Sequence, residues 1–241
     1  MERHYFALTN FCNRECPLCS CHSDPGRKTF SSLQYVLDVL GHSEPYEVQL
    51  EGGEPLLHPD FPRIVDYATS DERCLGVIVC TNAVKLPWVF QGGRLDETAS
   101  VEAIQGWLAR FAKKPFTLKP SINAHLIERD RRHMEKMGVP LRAFEAAPWA
   151  HRATLRFNVR IQPQPITPDG EQWLLDVLEE QGLTQHSNIF NYQAYGKAKD
   201  TVGLQRPFIV ENPVQFHLHS PDERDFGMDL EARADHMQTM A

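Results

Sequence analysis

The chain has 241 residues, 41% of them hydrophobic and 24% charged, a balance that supports a packed core and excludes an intrinsically disordered polypeptide. A formal charge of −7 argues against a broad nucleic-acid-binding face, because phosphate recognition needs clustered Lys and Arg. No run reaches the roughly 18 apolar residues of a membrane span, and the opening Met-Glu-Arg-His is not followed by an apolar signal-peptide stretch, so a cytoplasmic protein is expected.

A first strand is predicted over residues 4–9 (HYFALT), followed by a cysteine-rich loop. A helix then spans 31–41 (SSLQYVLDVLG), with serines at its start and Gly41 at its stop. The alternation repeats: a strand at 46–51, a helix at 61–70, and a β-branched strand at 75–82 (LGVIVCTN). Further along come a helix at 97–112, a strand at 116–123, a charged helix at 124–137, a strand at 154–162, a helix at 171–182 and a strand at 188–193. The proline-rich 162–170 reads as a loop, 214–219 (VQFHLH) as a seventh strand, and 229–240 as a short terminal helix.

Six strand–helix units imply an α/β fold with a parallel sheet wrapped by helices, too short for eight-fold closure. A partial (β/α)6 TIM-like barrel is expected over residues 1–195, with 196–241 as a C-terminal extension packing on it. Strand 116–123 alternates Phe116, Leu118, Pro120 and Ile122 with Thr117, Lys119, Ser121 and Asn123, and 154–162 alternates Leu155, Phe157, Val159 and Ile161 with Arg156, Asn158, Arg160 and Gln162. Gln49 and Glu51, and Gln215, His217 and His219, continue the polar set. In a barrel the outer face must be apolar to meet the helices, so the polar set points into the lumen and suits a ligand. The same alternation also occurs in an antiparallel sheet with one solvated face.

Of six cysteines, four fall within Cys12–Cys21. Clustered thiols in a long chain without a leader point to a metal rather than to disulfides. Cys12, Cys16 and Cys19 have the spacing C-x3-C-x2-C, and Pro17 inside the run disfavours a helix, so a loop folds three thiolates around one object. Structural zinc wants a fourth protein ligand, which Cys21 or His22 could supply. A [4Fe-4S] cluster held by only three cysteines keeps one iron open to another ligand.

That spacing in the loop after the first strand, with EGGEP (51–55) at the end of the second, resembles the radical S-adenosylmethionine (radical SAM) superfamily. The resemblance covers roughly residues 4–195. It implies one [4Fe-4S] cluster on Cys12, Cys16 and Cys19, with the amino and carboxylate groups of S-adenosyl-L-methionine (SAM) on the fourth iron. It also implies that Gly52, Gly53, Glu54 and Pro55 bind the methionine amino group. Gly52 and Gly53 lack Cβ atoms and so permit close backbone approach, and Pro55 fixes the turn. The residue before the third cysteine, often an aromatic that contacts adenine in this family, is here Leu18. Ser121 and Asn123 stand where the family binds the ribose hydroxyls, with helix capping the competing role for Asn123. Arg160 and Lys119 could neutralise a carboxylate or pair with Glu51 or Glu47. Cys80 reads as a buried structural thiol.

The activity implied by the resemblance is reductive cleavage of SAM to methionine and a 5′-deoxyadenosyl radical, which takes a hydrogen atom from a polar small-molecule or peptide substrate. A flavodoxin- or ferredoxin-type electron donor is implied as well, and Arg14, Arg27 and Lys28 beside the cysteine loop are candidates for its docking. Tyr192, Tyr195 and residues 222–230 are candidates for the barrel mouth. A glycyl-radical-enzyme activase and a non-catalytic zinc-stabilised binding protein are the alternative readings.

Overall fold

The computed structural model describes residues 2–147, 152–162, 170–192, 194, 196–198, 201, 203 and 215–221. Strand β1 (Glu2–Thr9) leads through the cysteine loop to α1 (Leu33–His42), whose start is fixed by the Ser32 hydroxyl accepting the Tyr35 N–H at 3.1 Å. β2 (Tyr46–Gly52), a 3₁₀ turn over Pro55–Leu57, α2 (Phe61–Ser70) and β3 (Cys74–Thr81) follow. A small hairpin, β4 (Phe90–Gln91) and β5 (Arg94–Leu95), precedes α3 (Glu97–Phe111) and β6 (Phe116–Ile122). Then come α4 (Ala124–Arg129), α5 (His133–Glu145), β7 (Ala153–Leu155) and β8 (Phe157–Ile161). The last described elements are α6 (Gln172–Glu180), β9 (Ser187–Asn191) and β10 (Gln215–His219).

The main sheet runs β10-β1-β2-β3-β6-β8-β9, with β7 also paired to β6, and its pairs are parallel. Parallel neighbours need crossovers, and the helices supply them. Phe6, Leu8, Val48, Leu50, Val77, Val79, Leu118, Phe157 and Val159 form one buried cluster with the helix residues Val36, Leu40, Ile64, Leu108, Met137 and Leu174. The alternate residues, among them Glu51, Cys80, Ser121, Asn158 and Arg160, line a cavity on the opposite face. The polar lumen expected from the alternation is therefore present, and the solvated antiparallel sheet is excluded. No helix among the described residues is long and apolar enough to cross a membrane.

Several expectations are corrected. Gly41 lies inside α1, which ends at Ser43, where the backbone N–H reaches Leu40 O at 3.3 Å; the glycine instead faces the Tyr67 hydroxyl of α2. The helix expected over 124–137 is two, divided where the Asp130 carboxylate accepts the Arg132 N–H at 3.1 Å, and α5 runs on through Pro140 to Glu145. The strand expected over 154–162 breaks at Arg156, opposite the stretch of β6 that contains Pro120, which has no N–H to donate. Arg156 is exposed and lies outside the lumen.

His217 and His219 are also not in the lumen. His219 stacks on Phe6 at 4.4 Å and His217 on His4 at 4.8 Å, on the helix side of the sheet. Alternation sorts residues into two faces but does not say which face is inner; the register His4↔His217 decides it here. The side chains of Gln215, Phe216 and Leu218, and residues 163–169, 195 and 222–240, lie outside the described residues.

Candidate active site

The cysteine loop is held by its own backbone and by the turn after β2. Thr9, at the end of β1, accepts the Phe11 N–H on its hydroxyl at 2.9 Å and donates to Thr29 O at 2.7 Å. Asn10 accepts the Thr29 N–H on its side-chain oxygen at 3.1 Å, and the Cys12 N–H donates to Asp24 O at 3.2 Å. The Asp24 carboxylate then caps the far turn by accepting the N–H groups of Gly26 and Arg27 at 2.8 and 3.0 Å. These local bonds satisfy backbone that has no ladder partner.

Two backbone bonds join this loop to the glycine turn: Gly53 N–H to Thr9 O at 2.5 Å and Glu54 N–H to Phe11 O at 2.9 Å. Gly52 sits at φ +120°, where a Cβ would lie 2.5 Å from Thr9 O, and a Cβ on Gly53 would collide with Phe11 O. The glycines let chain pass against chain, which brings the thiols beside the end of β2.

Cys12 is buried, and its sulfur accepts the Arg14 N–H at 3.4 Å and the Asn82 amide at 3.5 Å. Burial pushes the Cys12 and Cys16 thiols up to about 12, so their thiolate forms need a compensating cation. Cys12, Cys16 and Cys19 line one cavity together with Cys21. The free thiols, the N–H donors at the Cys12 sulfur and the glycine cradle suit an iron–sulfur cluster.

The cavity, about 180 Å³, brings together Cys12, Cys16, Leu18, Cys19, Gly52, Gly53, Ser121, Asn123 and Arg160 of the residues expected there. Glu51 stands within it: one carboxylate oxygen accepts the Gln49 amide at 3.2 Å, while Oε1 is buried without a hydrogen-bond partner. Burial raises the Glu51 carboxyl above its ordinary value, against the opposing influence of Gln49, Lys119 and Arg160. The Arg160 guanidinium lies over the Phe190 ring at 4.5 Å. Asn123 is the N-cap of α4, its side-chain oxygen accepting the Leu126 N–H at 2.9 Å, so the capping role is real and its amide NH₂ is the group left for a ligand.

Glu54 and Pro55 are not brought to the cavity wall. Glu54 is fully buried; its Oε1 accepts the Thr81 hydroxyl at 2.7 Å and the Leu56 N–H at 3.1 Å, and its Oε2 accepts the Asn82 N–H at 2.7 Å. Burial raises its carboxyl to about 7. This carboxylate ties the glycine turn to the end of β3, and Pro55 is buried in the turn beyond. Arg14, expected at the surface, instead lines the cavity.

Asn158 lines the cavity, as its place in the polar set of 154–162 implies, whereas the contact of Asn82 with the Cys12 sulfur and the Gly196–Lys197 step are not foreseen from the sequence. Gly196, at φ +61°, has no room for a Cβ against Cys19 O and Ser20 O. The Lys197 N–H donates to Cys19 O at 2.7 Å, and its ammonium donates to Ser23 O at 2.9 Å. The segment after β9 thus closes over the cysteine loop. A Gly-Lys pair nearly 180 positions from the cysteines carries no local signal of that contact; Asn82, at the exit of a strand, has the position as its only signal.

Comparison with known proteins agrees with this arrangement. The family model described as the Radical SAM superfamily matches residues 6–161. Mycofactocin maturase MftC of Mycobacterium ulcerans (strain Agy99) is 38% identical over 82 residues, 33% of this chain and 22% of that protein. MftC of Mycobacterium tuberculosis (strain ATCC 25618 / H37Rv) is 37% identical over 82 residues, 33% of this chain and 20% of that protein. The crystal structure of Streptococcus suis SuiB bound to S-adenosylmethionine matches with a TM-score of 0.51 at 13% identity, covering 90% of this chain and 50% of that one; this likeness establishes a shared partial-barrel fold. The matches span about a fifth of the curated relatives and half of the solved chain. Because the family model takes in well over half of the sequence, from β1 to β8, the chain belongs to the radical SAM superfamily.

Proposed function

We propose that this chain is a SAM-cleaving enzyme carrying one [4Fe-4S] cluster on Cys12, Cys16 and Cys19, with SAM in the adjoining cavity. The observation that carries the reading is the meeting, in one cavity, of three free thiols, a glycine turn and a polar lumen. When bound, the pair supplies reductive cleavage of SAM and a 5′-deoxyadenosyl radical that removes hydrogen from the substrate.

The protein's own residues hold and enclose that chemistry. Asn82 and the Arg14 N–H direct donors at the Cys12 sulfur, and Leu18 offers an apolar wall to the adenine. The Ser121 hydroxyl and the Asn123 amide are placed for the ribose diol. Glu51 Oε1, lacking a partner, accepts from an ammonium, and Arg160 takes a carboxylate; an unpaired buried charge at either position would otherwise be costly. Tyr192 closes the wall near Cys16 and Cys19 and helps exclude water from a site where radicals form. Gly52, Gly53, Glu54 and Pro55 serve as the turn that positions the cluster loop.

The substrate is polar, a small molecule or a peptide. The relatives named as maturases make a peptide the first class to test. The electron donor is a flavodoxin- or ferredoxin-type protein reaching the exposed Lys28, and the compartment is the cytoplasm, where six free cysteines stay reduced. Anaerobically reconstituted protein incubated with SAM and dithionite should release 5′-deoxyadenosine. A brown, iron-loaded preparation that leaves SAM intact would refute the proposal.

A further inference from the structure

A second cluster of ligating side chains stands on the helix-facing side of β1, outside the cavity. His4 precedes Thr9 by five strand residues, about 16 Å along β1, and its side chain points away from the lumen. There His4, Glu2 and His217 face one another across the β1–β10 pair. Glu2 Oε2 lies 3.5 Å from His4 Nε2 and Glu2 Oε1 lies 3.6 Å from His217 Nε2, with all three ligating atoms within 4.8 Å of each other. His217 Nε2 is buried and has no hydrogen-bond partner. An imidazole nitrogen withdrawn from water without a hydrogen bond, its nearest polar group a carboxylate oxygen 3.6 Å away, costs stability unless something binds it.

The groups behind His4 are arranged as a supporting shell. His4 Nδ1 is 3.0 Å from His219 Nε2, and His219 Nδ1 is 2.9 Å from the Tyr35 hydroxyl. Ser43, which sits 2.9 Å from His4 Nε2, gives its own proton to Val39 O at 2.7 Å and can therefore only accept from His4. Without a ligand the chain runs Tyr35 to His219 to His4 to Ser43. With a cation on His4 Nε2 it runs in reverse: His4 Nδ1–H donates to His219 and His219 Nδ1–H to the Tyr35 oxygen. Neither state leaves a ring N–H unpaired, and the second is the support that metal-bound histidines use.

We infer that Glu2, His4 and His217 bind a divalent transition-metal ion of the zinc class, which clamps the edge strand β10 onto β1. Two imidazoles and a carboxylate select Zn²⁺-type ions over Mg²⁺ or Ca²⁺, which prefer all-oxygen shells. Binding draws the ligating atoms in to about 3.3 Å, as bonds of about 2.0 to 2.1 Å in a tetrahedral shell require, and opens the two stacked rings from their 17° angle. The fixed pair His4↔His217 locks the register of β10.

The test uses the full, cluster-loaded chain and Zn²⁺ alone. After dialysis against a weak chelator, metal analysis should find one zinc ion per chain in addition to the cluster iron, and zinc should raise the melting midpoint. His217→Gln and Glu2→Gln should each lose the zinc and the midpoint rise while keeping the same iron content. Tyr35→Phe should weaken zinc binding about tenfold. Zinc retention equal in wild type and both ligand variants, or none in wild type, would overturn the site and leave a hydrogen-bonded histidine array. Glu2→Gln, near the strand's N-terminal end, keeps the test decisive if His217→Gln does not fold.

Discussion

Replacing Gly53 by alanine tests whether the glycine turn exists to hold the cysteine loop. The new Cβ would collide with Phe11 O, and Phe11 O is also the acceptor for Glu54 N–H. Relief requires the loop to move off the turn, which strains packing by about 1–3 kcal/mol. It also weakens two backbone hydrogen bonds, Gly53 to Thr9 and Glu54 to Phe11, each worth about 1 kcal/mol. The sum, about 3–5 kcal/mol, lowers the melting midpoint by roughly 6–20 °C at about 2–4 °C per kcal/mol for a chain of this size. Gly106 is the internal control: it lies in α3 with nothing within 4 Å of an added Cβ, so Gly106→Ala should stabilise by about 1 kcal/mol. Thermal melts and iron analysis of reconstituted protein read both effects. Gly53→Ala should lose more than half of its iron while Gly106→Ala keeps all of it. A Gly53→Ala variant with wild-type midpoint and iron content would show that the loop does not depend on the close passage of chain against chain at Gly53.

Other outcomes follow from the same contacts. Cys16→Ser should abolish the brown iron–sulfur colour, whereas Cys74→Ser, whose thiol contacts Gly76 O at 3.5 Å on the helix side, should leave iron content unchanged. Glu54 is raised in the fold to about 7 from an ordinary 4.5, so the folded state keeps its proton longer than the unfolded state. Its contribution to stability is full below pH 4.5 and falls as pH rises to 7, by about 3 kcal/mol. Denaturant unfolding between pH 5 and 7.5 should show that decline in wild type and a flatter profile in Glu54→Gln; equal slopes would contradict it. Lys197→Met removes the ammonium bond to Ser23 O, worth about 1.5–3 kcal/mol as a charged hydrogen bond, and should speed cluster loss to a chelator at least tenfold.

Much of this fold is written in short-range pattern. Strands such as Phe116–Ile122, with apolar and polar residues strictly alternating, declare both their conformation and their two faces, and the parallel order follows from the helices between them. Pattern fails where a distant partner decides the outcome. The face of His217 depends on the register of β10 against β1, and the role of Glu54 on Thr81 and Asn82, 27 and 28 residues away. Cys12, Cys16, Cys19, Gly52 and Gly53 were legible because spacing and residue type together constrain what a loop can hold. Gly196 and Lys197 were not, since their meaning lies entirely in where β9 leaves the chain. The β4–β5 hairpin does carry a local signal: Gly92 and Gly93, at φ +56° and +76°, form a two-residue Gly-Gly turn.

If Cys12, Cys16 and Cys19 are the protein ligands of the cluster, one iron lacks a protein ligand and is open to SAM. Electron paramagnetic resonance of the dithionite-reduced, reconstituted protein, recorded with and without SAM, reads that iron. A [4Fe-4S] signal whose g-values and line shape change when SAM is added is expected, with about four irons per chain. A signal indifferent to saturating SAM, or a colourless preparation holding one tightly bound zinc in the cysteine loop, would contradict it.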